Sequence, residues 1–590
     1  MGKRWRIHPH DPELVTFLER RARVSPVVAQ LLICRGVRDP EQARLFLDAK
    51  LTGLRDPELL PGVSAAAERL HAAVQAKRRI VIYGDYDADG MTATGLLHGC
   101  LQLLGADVGY YVPNRLDEGY GLNHEALRRL AAHGAALVVS VDCGIGSVAE
   151  AETARELGLE LIVTDHHHLA DRLPAAAAIV HPRLPGGTYP FDGLCGAGVA
   201  LKLAWALCQQ ASHAKRVSPA MRDYLLSAVG LAALGTVADV VPLLDENRVL
   251  VRHGLVSLRE RPLPGLAALL KVTELDRKPQ LDSEDIAFTL APHLNAAGRL
   301  GQAQLGVELL TTQTTERATA LADYIHQLNG SRDTLERSVY LAAHKQAQES
   351  FDPHQDPALV LDGTGWHAGV IGIVAGRLAE KYHRPVVIIS WDQMGAKPGV
   401  GSARTAGRLN LHEALLACSH HLLSCGGHAQ AAGLKIEKTK LDAFRAEFCE
   451  HVALVTSPED RTAEVPIDTE SLLSQLTLNT VQEIEQLAPF GHGNPRPVLC
   501  ASGVQLAEPP RRMGSGERHL AVKVRQHGIT LRGVAFGQGE AAEELARVDG
   551  LLDIAFRPVI NDFRGRRSVE MHLVDWRPAQ VSAGAACRSA

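Results

Sequence analysis

What this 590-residue chain lacks narrows what it can be. Aromatic residues are only 4% of it, so contact with nucleic acid cannot rest mainly on ring stacking. Its ten cysteines include no CxxC pair and no finger-like spacing, which argues against a thiolate zinc site. They read as reduced, mostly buried thiols of a cytosolic protein. No apolar run reaches the ~18 residues that a membrane span needs, because the longest, 228–238, stops at Asp239. The N-terminus, MGKRWRIHPHDPE, is basic but has no apolar core, so it is no secretory signal, and the cytoplasm is the expected compartment. Positive charge is not in excess either. The net charge of -5 argues against coating nucleic acid through bulk charge. It leaves room for a local basic groove, since screening confines charge effects to roughly 10 Å. No G-x4-GK[ST] motif is present, so nothing supports an ATP-driven mechanism.

What is present is an ordinary globular composition, 46% apolar and 22% charged. The length predicts about four domains at roughly 150 residues each. Residues 1–70 contain short helical patterns broken by prolines and read as a helical lead-in. Across 71–305, β-branched runs (RIVIY, DVGYYV, ALVVSVD, ELIVTD) alternate with helical stretches, which predicts a mostly parallel α/β sheet. Residues 306–350 are polar and helix-favouring, with Leu309, Leu310, Leu321, Ile325, Leu328, Leu335 and Leu341 as a broken apolar stripe, and predict a connecting helix. A second α/β unit follows over 351–456, and 460–580 ends in alternating strands of a small β-barrel.

The strand RIVIY runs into a loop with Asp85, Asp87 and Asp89, followed by Gly90 and a helix. In an open α/β sheet, functional groups gather beyond the carboxyl ends of the strands. Three carboxylates this close repel one another unless a cation sits among them. A solvated acidic turn would also explain this loop alone. An EF-hand loop does not fit, because the twelfth position from Asp85 is Leu96 and not Glu. The pattern then recurs. ALVVSVDCG ends in Asp142, ELIVTDHHH in Asp165, His166, His167 and His168, and GLAALGTVADVVPL in Asp239. Four such sites at one edge of one sheet predict a divalent-metal centre for phosphoester hydrolysis. Mixed carboxylate and imidazole ligands suit Mn²⁺ or Mg²⁺. Bridging carboxylates could hold two such ions about 3.5–4 Å apart, an arrangement suited to phosphoryl transfer.

GDYDADG, VDCG, TDHHH and GTVADVVPL resemble the successive motifs of the DHH phosphoesterase superfamily. HLNAAGRL, GSAR, GGHAQAAG and the C-terminal barrel resemble, within it, the bacterial RecJ family of single-strand exonucleases. The resemblance covers nearly the whole chain. It implies a DHH domain, a connecting helix, a DHH-associated α/β domain and an OB-like barrel. Asp87 and Asp142 would hold one Mn²⁺ or Mg²⁺ ion, with Asp85 as a further ligand. Asp89, Asp142, His166 and Asp239 would hold the other. Asp165 would orient its neighbouring histidine, and His167 would contact the scissile phosphate. Some relatives carry His where this chain has Tyr83, which leaves the first ion with fewer ligands. His168 has no family role and is read as structural.

The same resemblance places Arg115, Ser402 and Arg404 at the terminal 5′ phosphate, which would fix a 5′→3′ polarity. Arginine binds phosphate bidentately, and the small residues around Ser402, Arg404 and Arg408 let backbone approach it. Asn295 and Arg299 are further backbone-contact candidates, while His293 stands where RecJ proteins often have Arg. Gly426, Gly427 and His428 would bring a loop close to the strand, although a glycine turn starting a helix would give the same pattern. In the barrel, Arg511, Arg512, Arg518, Lys523, Arg525 and Arg532 have one nearby acid, Glu517, and form a basic face of the kind that tracks a single-stranded backbone. Phe563 and Trp576 are candidate stacking groups, although Trp576 reads better as core.

The expected activity is metal-dependent 5′→3′ degradation of single-stranded DNA to 5′-mononucleotides. It implies a monomer that works at the bacterial nucleoid in recombination and repair, beside single-strand-binding protein and a RecQ-like helicase, with no membrane partner. The alternatives are a DHH phosphoesterase acting on short oligonucleotides or cyclic dinucleotides, and a non-catalytic single-strand-binding scaffold.

Overall fold

Runs such as IVIY and LVVSV are apolar throughout, as strands buried on both faces of a parallel sheet must be. The computed structural model describes residues 3–352, 355–395, 397–563 and 565–579. Within the unit Leu51–Arg461, those runs form one parallel sheet in the spatial order Val108–Tyr111, Ile80–Tyr83, Leu137–Val141, Glu160–Thr164, Ala178–Val180. Tyr83 is level with Ser140, and Val141 with Thr164. The loops that begin at Gly84, Asp142 and Asp165 therefore leave the sheet at the same edge. The chain passes from Ile80–Tyr83 to one neighbour and then returns to the other, so this edge carries a topological switch point, where ligands of such sheets bind.

Three helices, Ala88–Leu103, Gly196–Ser212 and Pro219–Ala238, build the core beside the sheet through Leu96, Leu97, Leu203, Leu207, Leu231 and Leu234. The last of these corrects an expectation. Asp239 is not at a strand end; it is the C-cap of the helix Pro219–Ala238. That segment is apolar on every side because it is buried on every side, so its periodicity could not separate helix from strand.

Helix Thr315–Ser350 connects two cores. At 1.5 Å per residue it is roughly 54 Å long. Leu321, Ala322 and Ile325 join the first core, while Val339, Ala343 and Ala347 join the core of a second sheet. Leu335 and Leu341 of the expected stripe face solvent instead. The second sheet has the order Leu422–Gly427, Ala431–Ile436, Gly399–Arg404, Val386–Trp391, Leu359–Thr364. Only the last two strands pair in parallel.

Residues 3–50 and 462–579 form a separate unit. Seven strands make its barrel, closed by an extra pairing between Leu499–Leu506 and His519–Gln526. Trp576 packs against its core. The expected N-terminal segment 1–70 does not hold as one piece. It begins with a strand, Arg4–Ile7, paired in parallel with Glu464–Ile467. Its Val28, Leu31 and Leu32 pack on Ile484, Leu487 and Phe490, and residues from 51 onward belong to the other unit. No helix among the described residues is long and apolar enough to cross a membrane.

Candidate metal centre

Backbone N–H groups at two helix starts hold the acids of the first loop. Asp87 is the N-cap of the helix Ala88–Leu103, and its Oδ1 accepts from the N–H of Asp89 and of Gly90, each at 3.0 Å. Asp89 reaches across to the start of the helix Gly196–Ser212. Its Oδ2 accepts from Gly196 N–H at 2.7 Å and its Oδ1 from Ala197 N–H at 2.9 Å. The positive ends of both helices favour these carboxylates. Asp142 has φ 61°, a left-handed conformation that costs on the order of 1 kcal/mol for a residue with a Cβ. Its carbonyl accepts from the hydroxyl of Tyr120 at 3.0 Å.

The side chains then converge in overlapping groups, each with ligand atoms within 4.8 Å of one another: Asp85, Asp87 and Asp142; Asp142, His166 and His167; and Asp89, His166 and Asp239. His166 Nε2 lies 3.1 Å from Asp142 Oδ1, 3.6 Å from Asp239 Oδ2 and 3.9 Å from Asp89 Oδ2. Asp142 thus stands between an all-carboxylate group and one that contains imidazole.

The chemistry of this donor set fits divalent cations. Asp85 Oδ1, Asp142 Oδ1 and His166 Nε2 are buried without a hydrogen-bond partner among the described residues. Burial, and then the charges of neighbouring carboxylates, push Asp239 up to about 9 and Asp89 up to about 6. Asp85 and Asp142 rise for the same reasons. Burial pulls His166 down to about 3, which leaves its imidazole neutral. Neutral imidazole and crowded carboxylates are what a hard, oxygen-preferring cation takes as ligands.

Asp165 faces away from this group. Its Oδ1 accepts from His166 N–H at 2.7 Å, His167 N–H at 3.2 Å and His167 Nδ1 at 2.7 Å, and its Oδ2 accepts from Ile145 N–H at 2.9 Å. Tyr83 is not a ligand. Its hydroxyl donates to Gly121 O at 3.0 Å and accepts from Asn123 Nδ2 at 3.1 Å, within the core on the other side of the sheet. The free oxygen of Asp85 is therefore the extra donor at that end.

Several contributing residues were not read from the sequence. Tyr120 touches both Asp142 and His167, and Arg183 donates to His166 O at 2.5 Å. Gly196 lies so close that an added Cβ would be 2.5 Å from Asp142 Cβ. The small residues of CGAGVA were the available signal for Gly196, but nothing in spacing marks the other two.

Next to the acids is a cationic cluster. The Arg115 guanidinium lies 4.9 Å over the Tyr86 ring. Arg299 donates to Gly369 O at 3.1 Å, and Arg404 donates to Ser402 Oγ at 3.0 Å. None of the three arginines has a carboxylate within ion-pair distance among the described residues. Burial, with Arg115 and Arg404 nearby, lowers Arg299 to about 10, and burial and Arg115 lower Arg404. Such a group is arranged for an anion. Arg408 is exposed and belongs to no part of it. Asn295 braces the acidic loop, accepting from Ala88 N–H at 2.9 Å. His293 is buried, bonded to Thr289 O at 2.7 Å and His326 at 3.0 Å. Gly427 and His428 lie at the turn of a β-hairpin, not at a helix start. The His428 ring lies 5.5 Å from that of His168, which gives His168 a partner.

In the separate barrel unit, Lys523 and Arg525 are exposed on one strand, and Arg518 Nε donates to Ser515 O at 3.1 Å. The basic face is less basic than expected. Lys523 pairs with Glu508 at 3.1 Å, Arg512 with Glu543 at 2.8 Å, and Arg532 with Glu570 at 3.0 Å. These acids are remote in sequence or on other strands.

Comparison with known proteins agrees with this architecture. Residues 79–229 match the DHH family N-terminal domain, 355–453 the DHHA1 domain, and 467–575 the RecJ OB domain. The chain is 36% identical over 575 residues to the single-stranded-DNA-specific exonuclease RecJ of Bacillus subtilis, covering 97% of this chain and 70% of that protein. It is 36% identical over 566 residues to the protein of that name from Escherichia coli, covering 93% and 95%. The crystal structure of RecJ from Thermus thermophilus in complex with Mn²⁺ superposes with a TM-score of 0.82 at 32% identity, covering 98% of this chain and 80% of that one. The Mg²⁺ complex from the same organism gives a TM-score of 0.77 at 30% identity, covering 98% and 79%. With identity at this level over nearly its whole length, the chain belongs to the RecJ family of single-stranded-DNA-specific exonucleases.

Proposed function

We propose that this protein is a divalent-metal-dependent 5′→3′ exonuclease that degrades single-stranded DNA to 5′-mononucleotides in recombination and repair. The observation that carries the reading is the converging set of buried donors, with orphaned atoms on Asp85, Asp142 and His166. Asp85, Asp87 and Asp142 would hold one ion, and Asp89, Asp142, His166 and Asp239 the other. When bound, Mn²⁺ or Mg²⁺ supplies Lewis acidity, which acidifies water and stabilises charge on the phosphoryl oxygens. Asp165 fixes the His167 ring through Nδ1, which leaves Nε2 to donate to a nonbridging oxygen of the scissile phosphate. Although burial opposes it, the Asp165 hydrogen bond and charge raise His167, so its protonated, donating form is favoured.

Arg115, Arg299, Ser402 and Arg404 receive the terminal 5′ phosphate, with Gly427 and His428 against the adjoining backbone. Water attacks the next phosphorus, the P–O3′ bond breaks, and the first nucleotide leaves with its 5′ phosphate. The shortened strand carries a new 5′ phosphate, which can refill the same cluster. The barrel side chains Arg518, Lys523 and Arg525 contact the strand further along. The working division is a DHH domain over 71–305, the connecting helix, a DHH-associated domain over 351–456 and the barrel over 460–580. The protein works as a cytoplasmic monomer beside single-strand-binding protein and a RecQ-like helicase, a statement supported by the family resemblance alone.

The test uses purified protein, Mn²⁺ and labelled single strands. Asp142→Ala abolishes degradation, a 5′-blocked strand survives, and a 3′-blocked strand is consumed. Undiminished activity in the variant would remove the metal mechanism, and equal loss of both blocked strands would remove the polarity.

A further inference from the structure

Two histidines stand side by side just before the motif GGHAQAAG, and the fold gives both the same partner. His420 and His421 close a short turn that leads into the strand Leu422–Gly427, while Glu447 lies near the middle of the helix Leu441–Val455. Glu447 Oε2 is 3.0 Å from Nε2 of His420 and 2.7 Å from Nε2 of His421. The two imidazole rings lie 4.1 Å apart at 43°, and both direct Nε2 at one point. Ligand atoms of the three side chains all fall within 4.8 Å of one another. The nearby Cys418 is buried in the core of this domain and is not among them.

One imidazole would be enough to tether a carboxylate. Two imidazoles and a carboxylate aimed at a common point are a ligand set, and its chemistry differs from that of the acids on the parallel sheet. There, carboxylates outnumber imidazole, which suits Mn²⁺ or Mg²⁺. Here nitrogen is in the majority, which favours a borderline ion such as Zn²⁺. Tetrahedral Zn²⁺ takes His nitrogen and Glu oxygen at about 2.0–2.2 Å, which sets ligand atoms about 3.3 Å apart. The observed separations need to open by only roughly 0.3–0.6 Å to meet that geometry. The side chains of His420 and Glu447 are 60% and 39% exposed, so each can swing and water can take the fourth position.

The position gives such an ion a task. Leu422–Gly427 is the edge strand of its sheet and pairs on one side only, with Ala431–Ile436. That pairing is irregular at its start, between Leu422 and Ser424, and Leu423 is 54% exposed. The start of the strand is thus weakly held by the sheet itself. We propose that His420, His421 and Glu447 bind one Zn²⁺ ion, which clamps the start of this edge strand to the helix Leu441–Val455. The other end of the strand carries Gly427 and leads into His428, roughly 20 Å away at ~3.3 Å per residue. The ion is structural and separate from the catalytic centre, but it steadies the hairpin to which His428 belongs. The site stands whether or not that hairpin meets DNA.

The test starts from full-length Asp142→Ala protein, which lacks the ligand shared between the catalytic groups, titrated with Zn²⁺ by calorimetry. Adding His420→Ala and His421→Ala to this parent removes one bound Zn²⁺ per chain. Adding Glu447→Gln instead, which keeps the shape and an acceptor, weakens that ion by more than the roughly tenfold that loss of an outer partner costs. Hydrogen exchange is then followed across residues 422–427. Saturating Zn²⁺ slows exchange there by about tenfold or more in the parent and changes nothing in the variants. If the variants bind as much Zn²⁺ as the parent, and as tightly, the site is overturned. If they lose the ion but exchange in the parent is the same with and without Zn²⁺, the clamp is overturned. Should the double histidine variant lose its native melting transition, Glu447→Gln decides alone by the same two readouts.

Discussion

Asp165 turns both carboxylate oxygens inward, onto three N–H groups and the His167 ring. Burial alone would raise it, but the hydrogen bond from His167 and the histidine's charge outweigh burial and hold it at about 2. The same pair keeps His167 above the ordinary histidine range, against the effect of burial. Asp165→Asn keeps an acceptor and removes the charge, so His167 loses its proton at lower pH. The expected outcome is a limb of the rate–pH profile displaced to lower pH and a kcat reduced about 10–100-fold. A profile measured with the variant that overlays the wild type would show that Asp165 does not act through His167. The histidine run after an apolar strand made this pair legible from TDHHH. Tyr120 was not legible, because its bonds to Asp142 and His167 span 22 and 47 residues and no local spacing encodes them.

The N-terminus of the helix Gly196–Ser212 does two things at once. Its first N–H groups bind Asp89, and its missing side chain at Gly196 admits Asp142. Gly196→Ala puts a methyl group where the Asp142 carboxylate lies, with backbone on one side and a buried ligand on the other. The expected result is a stability loss of about 1–3 kcal/mol from overpacking. Mn²⁺ affinity, measured by titration calorimetry, falls about a hundredfold, as it does when the support of a ligand is disturbed. Wild-type affinity in a folded variant would show that the close approach is not needed. Elements of this kind explain which parts of the site were readable. Strand ends with an acid carry a period and a stop signal, and Asp85, Asp87, Asp142 and His166 lie in the loops where that pattern put them, whereas Asp89 stands in the first turn of the helix Ala88–Leu103, which begins earlier than its glycine suggested. Asp239 carried the same signature on a helix, since a segment buried all round has no polar face to set its period. The polarity of the connecting helix was readable but its start was not: Leu309 and Leu310 lie on a separate helix, Ala303–Thr311, and the connecting helix begins at Thr315. Its second contact face was not readable either, because Ala343 and Ala347 bury little and leave no stripe.

At the scale of the molecule, local pattern could not reveal that the chain's beginning and end fold together. Arg35 donates to Asn494 Oδ1 and Pro495 O, each at 2.6 Å, and such pairings across the sequence leave no trace in either segment alone. The charge balance of the larger unit is, by contrast, a direct consequence of its motifs, and it can be measured. Asp85, Asp89, Asp142 and Asp239 all have folded-state values above the ~3.9 of an unfolded aspartate. For a raised carboxylate, the folded state holds more protons than the unfolded state between the two values. Its stability is therefore fully present below about pH 4 and is lost as pH rises through the folded values, about 6 for Asp89 and about 9 for Asp239. Asp165, held near 2, acts the other way, but its contribution is already complete above about pH 4. His166, held at about 3, also acts the other way, and its contribution grows until about pH 6.5 and is complete above about pH 7; between pH 7 and 9 the raised group is therefore the one that changes. With chelator present, the melting transition of this unit should fall by several degrees over that range. Mn²⁺ should oppose the fall, because it replaces the protons, and the stabilisation it brings should grow with pH. Asp239→Asn should flatten the alkaline part of the chelated curve and weaken the Mn²⁺ effect. A chelated melting temperature that is flat from pH 7 to 9, with an Mn²⁺ increment independent of pH, would mean that the four acids are not held together against their own repulsion.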